Sequence, residues 1–179
     1  MSENPPRDPF DSFFWRDRME AAEFRLAKQF IFNDIEREIE LARASETAVR
    51  AAGVRPGGGN FLATLGLLCY TEFGGRLKYN RPTATENFNL FFDDLGPEYK
   101  AFRQAGHKVY DIFRCGMAHE YMIKKPSGIS MLGVGATAGI RQLPDGRFEF
   151  IVERYYMDLK RAFEDLDKQL FGGGGVAAP

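Results

Sequence analysis

Arg114, His119 and Tyr121 stand close together in the run Phe113-Arg114-Cys115-Gly116-Met117-Ala118-His119-Glu120-Tyr121, and His119 is one of only 2 histidines in the chain. A guanidinium grips a phosphate through paired N–H groups. An imidazole with an unperturbed pKa of about 6.5 takes or gives a proton near neutral pH. A phenol can hold a further phosphate oxygen, so the three together could move a proton beside a bound phosphodiester. Their spacing constrains the backbone. On an unbroken α-helix, residues five apart are rotated by about 140°, so Arg114 and His119 diverge unless the helix loosens between them. Gly116 is the place for that, because glycine readily takes the left-handed conformation that ends helices. If the chain is extended beyond it, His119 and Tyr121 point the same way, since side chains alternate along an extended segment. The expectation is a helix C-terminus at a surface or a subunit contact.

Each of these residues also has a plainer role. His119 can cap a helix end through a backbone carbonyl, Arg114 can face the negative end of a helix dipole, and Tyr121 can be half-buried with its hydroxyl in water. Their joint spacing favours the chemical reading.

The pattern Arg114-x4-His119-x-Tyr121 resembles the signature of the HEPN superfamily of small helical proteins, in particular the toxins encoded beside minimal nucleotidyltransferases. The resemblance rests on this motif and a helical surround. It implies an all-α fold and a metal-independent ribonuclease site formed by Arg114 and His119, usually at a homodimer interface. In the toxin branch it also implies a tyrosine, here Tyr121, that the nucleotidyltransferase partner modifies. One position departs from the pattern: Cys115 follows the arginine where the family often carries Asn, Asp or another polar residue.

The elements that must position these groups are read from periodicity. The segment Met1 to about Phe10 is polar and proline-rich and reads as a tail, with an apolar anchor at Phe10, Phe13, Phe14 and Trp15. Asp11 or Ser12 can cap a helix whose apolar stripe is Trp15, Met19, Ala22, Leu26 and Phe30, continued by Ile31, Ile35, Ile39 and Ala42. Asn33 and Glu36 have capping-box spacing, so one long helix and two shorter ones both fit, ending before Gly53. Pro56-Gly57-Gly58-Gly59 is a loop, and Asn60 can cap a helix over Phe61 to about Lys78. On it Leu65, Cys69, Glu72, Phe73 and Arg76 share a face, and Gly66, Gly74 and Gly75 admit a close neighbour. Thr83 to Leu95 reads as a short helix burying Phe88, Phe91, Phe92 and Leu95. Gly96-Pro97 opens another helix, whose stripe of Phe102, Ala105, Val109, Ile112 and Phe113 runs to Arg114.

After Pro126 the period changes. Ile129 to Val134 is apolar and branched, and Ala138–Leu143 and Arg147–Val152 flank the turn Pro144-Asp145-Gly146 as a β-hairpin. A last helix starts at Glu153 with Tyr156, Leu159, Phe163, Leu166 and Leu170 at helical spacing, and Gly172 to Pro179 reads as a flexible tail. The fold expected is all-α, a bundle of four to six helices with a hairpin at about 129–152, in one domain spanning residues 11–171.

Composition narrows the function classes. A chain of 179 residues, 44% hydrophobic and 27% charged, is that of one globular domain. With a formal net charge of -1 there is no overall attraction to nucleic acid, so any RNA contact needs a local basic patch. Lys124 and Lys125, with Arg76, Lys78 and Arg81, are the candidates for that track; a solvated charge cluster is the alternative. The 2 cysteines, Cys69 and Cys115, have no zinc-site spacing and read as reduced thiols of a cytoplasmic protein. No apolar run approaches the roughly 20 residues needed to span a bilayer.

Glu72 is a supporting candidate that can orient Arg114 or His119; the plainer reading pairs it with Arg76 at i+4. His107, seven residues before Arg114 on the same helical face, reads as a packing or solvated residue. Gly57-Gly58-Gly59 lacks the Gly-Lys-Ser/Thr of a phosphate loop, and Gly133, Gly135 and Gly139 lack the context of a dinucleotide fingerprint. No metal or cofactor is expected. Three readings follow: a HEPN-type endoribonuclease; a non-catalytic HEPN-like module that binds RNA, a nucleotide or a protein; or a structural helical protein in which the motif is coincidence and Arg114 and His119 sit apart in separate buried contacts. For the first, a homodimer, an RNA substrate and an antitoxin-like nucleotidyltransferase are the expected partners, and DNA and membrane are not.

Overall fold

The structure, a computed structural model, describes residues 19–120 and 126–172, without the side chains of His119 and Glu120. Expectations for the two tails, for Trp15 and for Tyr121, Lys124 and Lys125 therefore fall outside the described residues.

Helix α1 spans Ala21–Arg43 and starts at Glu20, whose extended backbone leaves the helical path and whose N–H donates to the Glu23 carboxylate at 3.2 Å. It runs through Asn33 without a break, and a separate short helix α2, Glu46–Ala51, follows with Ser45 as its cap. The buried face of α1 is Phe24, Ile31, Phe32, Ile35 and Ile39. The expected stripe is only half right, because Leu26 and Phe30 are 54% and 65% exposed. The helix carries two apolar stripes at compatible spacing, and the core takes the one dense in isoleucine and phenylalanine.

Helix α3, Asn60–Tyr79, follows Gly57, Gly58 and Gly59, all at positive φ. Gly59, not Asn60, occupies the cap position. Gly75 carries the contact with the next helix: a Cβ there would lie 2.0 Å from the Asn87 carbonyl oxygen. That helix, α4 (Ala84–Asp94), is held at its start by a reciprocal capping box between Thr83 and Glu86. Phe88, Phe91, Phe92 and Leu95 are fully buried, as expected. Buried Asn87 locks the intervening turn by accepting from Arg81 N–H and donating to the carbonyls of Arg81 and Thr83.

Helix α5, Pro97–Gln104, is short. The continuous helix expected from Pro97 to Arg114 is broken at Gly106, where φ is +86°. The chain then re-enters a π-helical turn, Tyr110–Cys115, which passes into helix α6, Gly116–Glu120. Gly116 itself is helical (φ -58°, ψ -49°), so the expected helix end at this glycine does not occur. The loosening lies one turn earlier and is a widening of the helix rather than its termination.

The expected hairpin is part of a larger unit. β1 (Ser127–Ser130) runs parallel to β3 (Phe148–Ile151), and β2 (Ile140–Gln142) antiparallel to it, in the order β1-β3-β2. The fold is mostly helical, as expected, with a small mixed three-stranded sheet where a hairpin alone was expected, and the described residues hold seven α-helices and the π-turn rather than four to six helices. Helix α7, Val152–Phe171, runs on from β3 and buries Tyr155, Tyr156, Leu159, Phe163 and Leu166. Phe163 sits at the centre of the core, ringed by Phe24, Phe32, Phe73 and Phe91 at 5.4 to 6.4 Å. Asp158 is the buried charge of this layer. It accepts from Tyr99 Oη at 2.7 Å and from Arg154 and Arg161, which are partly open to water. None of the described helices is long and apolar enough to cross a membrane.

Candidate functional site

The π-turn places Arg114. Each widened turn of this kind closes hydrogen bonds from i to i+5 and is a common mark of functional sites within helices. Ile112 and Phe113 anchor the turn in the core, and Met117 does the same for α6, leaving Arg114 at the edge of the core with its side chain 20% exposed. The turn packs against α3, from which Glu72 projects with its side chain 22% exposed. Arg114 Nε lies 3.0 Å from Glu72 Oε2. The supporting role read for Glu72 thus has a partner in Arg114, and the i+4 pair with Arg76 is not formed; Arg76 is exposed.

The contact is ionic and not a directed hydrogen bond. Nε is buried, yet its N–H is not aimed at an acceptor, and among the described residues it is one of three buried side-chain polar atoms left without a hydrogen-bond partner, with Thr64 Oγ1 and Ser127 Oγ. Such orphans are uncommon in folded proteins and call for an explanation. Burial works against the Arg114 charge, but Glu72, together with Cys69, Tyr110 and Cys115, more than offsets it and raises the guanidinium pKa. The group is a fixed cation whose donors are not saturated.

Tyr110 completes the cluster, and sequence reasoning passed over it. Its ring centroid is 5.8 Å from Arg114 Cζ, within cation–π range. Its hydroxyl lies 3.5 Å from the same Glu72 Oε2 that faces Arg114. Phe88 holds the ring edge-on at 5.3 Å. Burial and then Glu72 push the phenol pKa up, so it stays a neutral donor. The i+4 spacing of Tyr110 and Arg114 was available as a signal, but an aromatic beside the stripe of Val109, Ile112 and Phe113 reads as core. Cys69, three residues before Glu72, has its thiol pKa raised by burial, with Arg114 opposing that shift.

His119 is the fourth residue of α6, which follows directly on the π-turn that carries Arg114. Tyr121, Lys124 and Lys125 lie outside the described residues. Of the other basic candidates, Lys78 is drawn into an ion pair with Asp94 at 3.0 Å, while Arg81 is exposed. His107 does not share a face with Arg114, because the helix between them is broken; it packs between Phe102 and Phe148 at 4.5 and 5.1 Å. The Gly57-Gly58 loop lines a cavity of about 400 Å³ with Glu38, Glu46 and Arg55. Two carboxylates there oppose a phosphate. Among the described residues no group of three or more His, Cys, Asp or Glu side chains is arranged to hold a metal ion.

The guanidinium, with a donor unmet, is the group here that can receive an oxyanion, while Glu72 holds its charge and the Tyr110 phenol faces Glu72. No protein-family model matches the chain, and no curated protein or solved structure is significantly similar to it.

Proposed function

We propose that this chain is a metal-independent endoribonuclease of the HEPN type that its motif resembles. The observation that supports this best is Arg114: a partly buried guanidinium, held in charge by Glu72 across a π-turn, with its Nε donor unmet. In the reaction, Arg114 receives the scissile phosphate and stabilises the charge that grows on it. His119 takes the proton from the ribose 2′-hydroxyl. The freed oxygen attacks the adjacent phosphorus and the 5′-oxygen leaves with a proton, giving a 2′,3′-cyclic phosphate and a 5′-hydroxyl. Glu72 supports Arg114, and Tyr121, Lys124 and Lys125 bind the flanking RNA.

A homodimer belongs to this reading, since two copies can supply the base that opens the reaction and the acid that closes it. The exposed stripe of Leu26 and Phe30 on α1, together with Leu62 at 68% exposure on α3, offers apolar surface for pairing. A toxin role with an antitoxin-like nucleotidyltransferase, in the cytoplasm, is the setting that the resemblance implies.

The chemistry is tested with RNA in excess EDTA, alongside a matched substrate carrying one 2′-deoxy residue at the cleaved position. The expected outcome is a cyclic phosphate product from the first and none from the second, because DNA sugars lack the nucleophile. Cleavage that needs a divalent ion, or that ignores the 2′-deoxy residue, overturns the mechanism. The Glu72 carboxylate neutralises Arg114 and opposes a phosphate, which favours one other reading, a non-catalytic HEPN-like module that binds a protein partner. It predicts no product and no loss of RNA retention on Arg114→Ala.

A further inference from the structure

A cation and a hydrogen-bond donor meet at a single oxygen. Arg114 Nε lies 3.0 Å from Oε2 of Glu72 in an ionic contact, and the Tyr110 hydroxyl donates to the same oxygen at 3.5 Å. The carboxylate is only 22% exposed, so an arginine that swings toward an incoming phosphate leaves behind a partly buried anion. Water reaches such an anion incompletely, and an unmet buried charge is costly. The phenol is already in place to take over. Its ring is fixed by Phe88, and a small tilt brings its hydroxyl from the limit of hydrogen bonding into normal range.

We infer that Tyr110 is a positioning residue whose hydroxyl holds the Glu72 carboxylate when Arg114 turns to a phosphate, so that anion binding exchanges one partner of Glu72 for another. This rests on the phosphate-binding role proposed for Arg114. Tyr110 itself touches neither the phosphate nor the reacting atoms. The arrangement differs from a simple structural contact in one respect: the hydroxyl matters only when Glu72 is charged and Arg114 is engaged elsewhere.

The test uses the full chain and a short 2′-O-methyl oligoribonucleotide, which carries the phosphates of RNA but cannot be cleaved. Affinity is measured for the parent, Tyr110→Phe, Arg114→Ala, Glu72→Gln and the Tyr110→Phe, Glu72→Gln double variant. Tyr110→Phe keeps the ring and its packing, and thermal unfolding checks that each variant is folded. Tyr110→Phe is expected to weaken binding about three- to tenfold, a modest loss because Glu72 is partly open to water. In the Glu72→Gln background the same change is expected to cost less than about twofold, since a neutral amide no longer requires the phenol. The inference is overturned if Tyr110→Phe binds as the parent does while Arg114→Ala has lost binding, or if the penalty is the same in both backgrounds. If Arg114→Ala binds as tightly as the parent, the phosphate-binding reading fails and this inference with it.

Discussion

Replacing Glu72 with glutamine removes one charge from the Glu72–Arg114 pair while keeping its shape, and the structure sets the size of the effect. At 3.0 Å and an effective dielectric constant of about 20, the gross attraction is about 5 to 6 kcal/mol. Most of that is offset by desolvating both groups, whose side chains are only 20% and 22% exposed, and by the poor aim of the Nε–H. A net coupling of about 1–2 kcal/mol is left. For a chain of this size that corresponds to a fall of about 2–8 °C in melting temperature. The clean assay is a double-mutant cycle of Glu72→Gln, Arg114→Met and the pair, followed by urea unfolding, because the cycle removes what each change does on its own. The pair of changes is expected to cost less than the sum of the singles by about 1–2 kcal/mol. Additivity to within about 0.3 kcal/mol would mean that the two charges do not hold one another. The positioning of Arg114 would then need another cause.

Gly75→Ala forces a Cβ to 2.0 Å from the Asn87 carbonyl, so α3 and α4 must part; a loss of about 1–3 kcal/mol in urea unfolding is expected. Gly128→Ala, with nothing within 4 Å, is expected to stay within about 0.5 kcal/mol of the parent. Burial alone would raise the pKa of Asp167, but Lys28 and Arg25 more than offset it and hold the pKa below the usual value. A folded-state pKa below the unfolded one means that the pair stabilises above pH of about 4 and that this is lost as the pH falls further. Asp167→Asn should therefore flatten the acid limb of the stability profile and leave its neutral-to-alkaline shape unchanged. Phe30→Ser combined with Leu26→Ser removes an exposed apolar stripe; sedimentation should show the parent as a dimer and the variant shifted to monomer, with the fold intact by circular dichroism.

Much of the fold could be read from the chain because local signals agreed with tertiary need. Thr83 with Glu86, the Phe88-Phe91-Phe92 stripe and the Leu159-Phe163-Leu166 stripe each mark a helix whose apolar face is the buried one. The misreadings have physical causes. Helix α1 carries two apolar stripes, and only packing decides that Ile31, Ile35 and Ile39 go inward while Leu26 and Phe30 do not. The break at Gly106 was hidden because Ala105 and Val109 continue a helical spacing across it. The parallel pairing of β1 with β3 joins segments about 20 residues apart, and no local pattern encodes such a partner. At the site, Glu72 was legible as a carboxylate in line with core residues, and Arg114 as part of a motif. Its π-turn was not legible, since Gly116 is helical and the widening falls on Tyr110–Cys115. Tyr110 escaped notice because only the folded chain brings its hydroxyl to the same oxygen as Arg114.

In the proposed reaction Arg114 and His119 act together on one RNA phosphodiester, which is tested by single-turnover cleavage of a labelled RNA in EDTA by the parent, Arg114→Ala and His119→Ala proteins, each shown to be folded. The parent is expected to cleave the RNA, and both variants to fall by at least about a hundredfold. Parent protein that leaves the RNA whole, or variants that cut at the parent's rate, would contradict it.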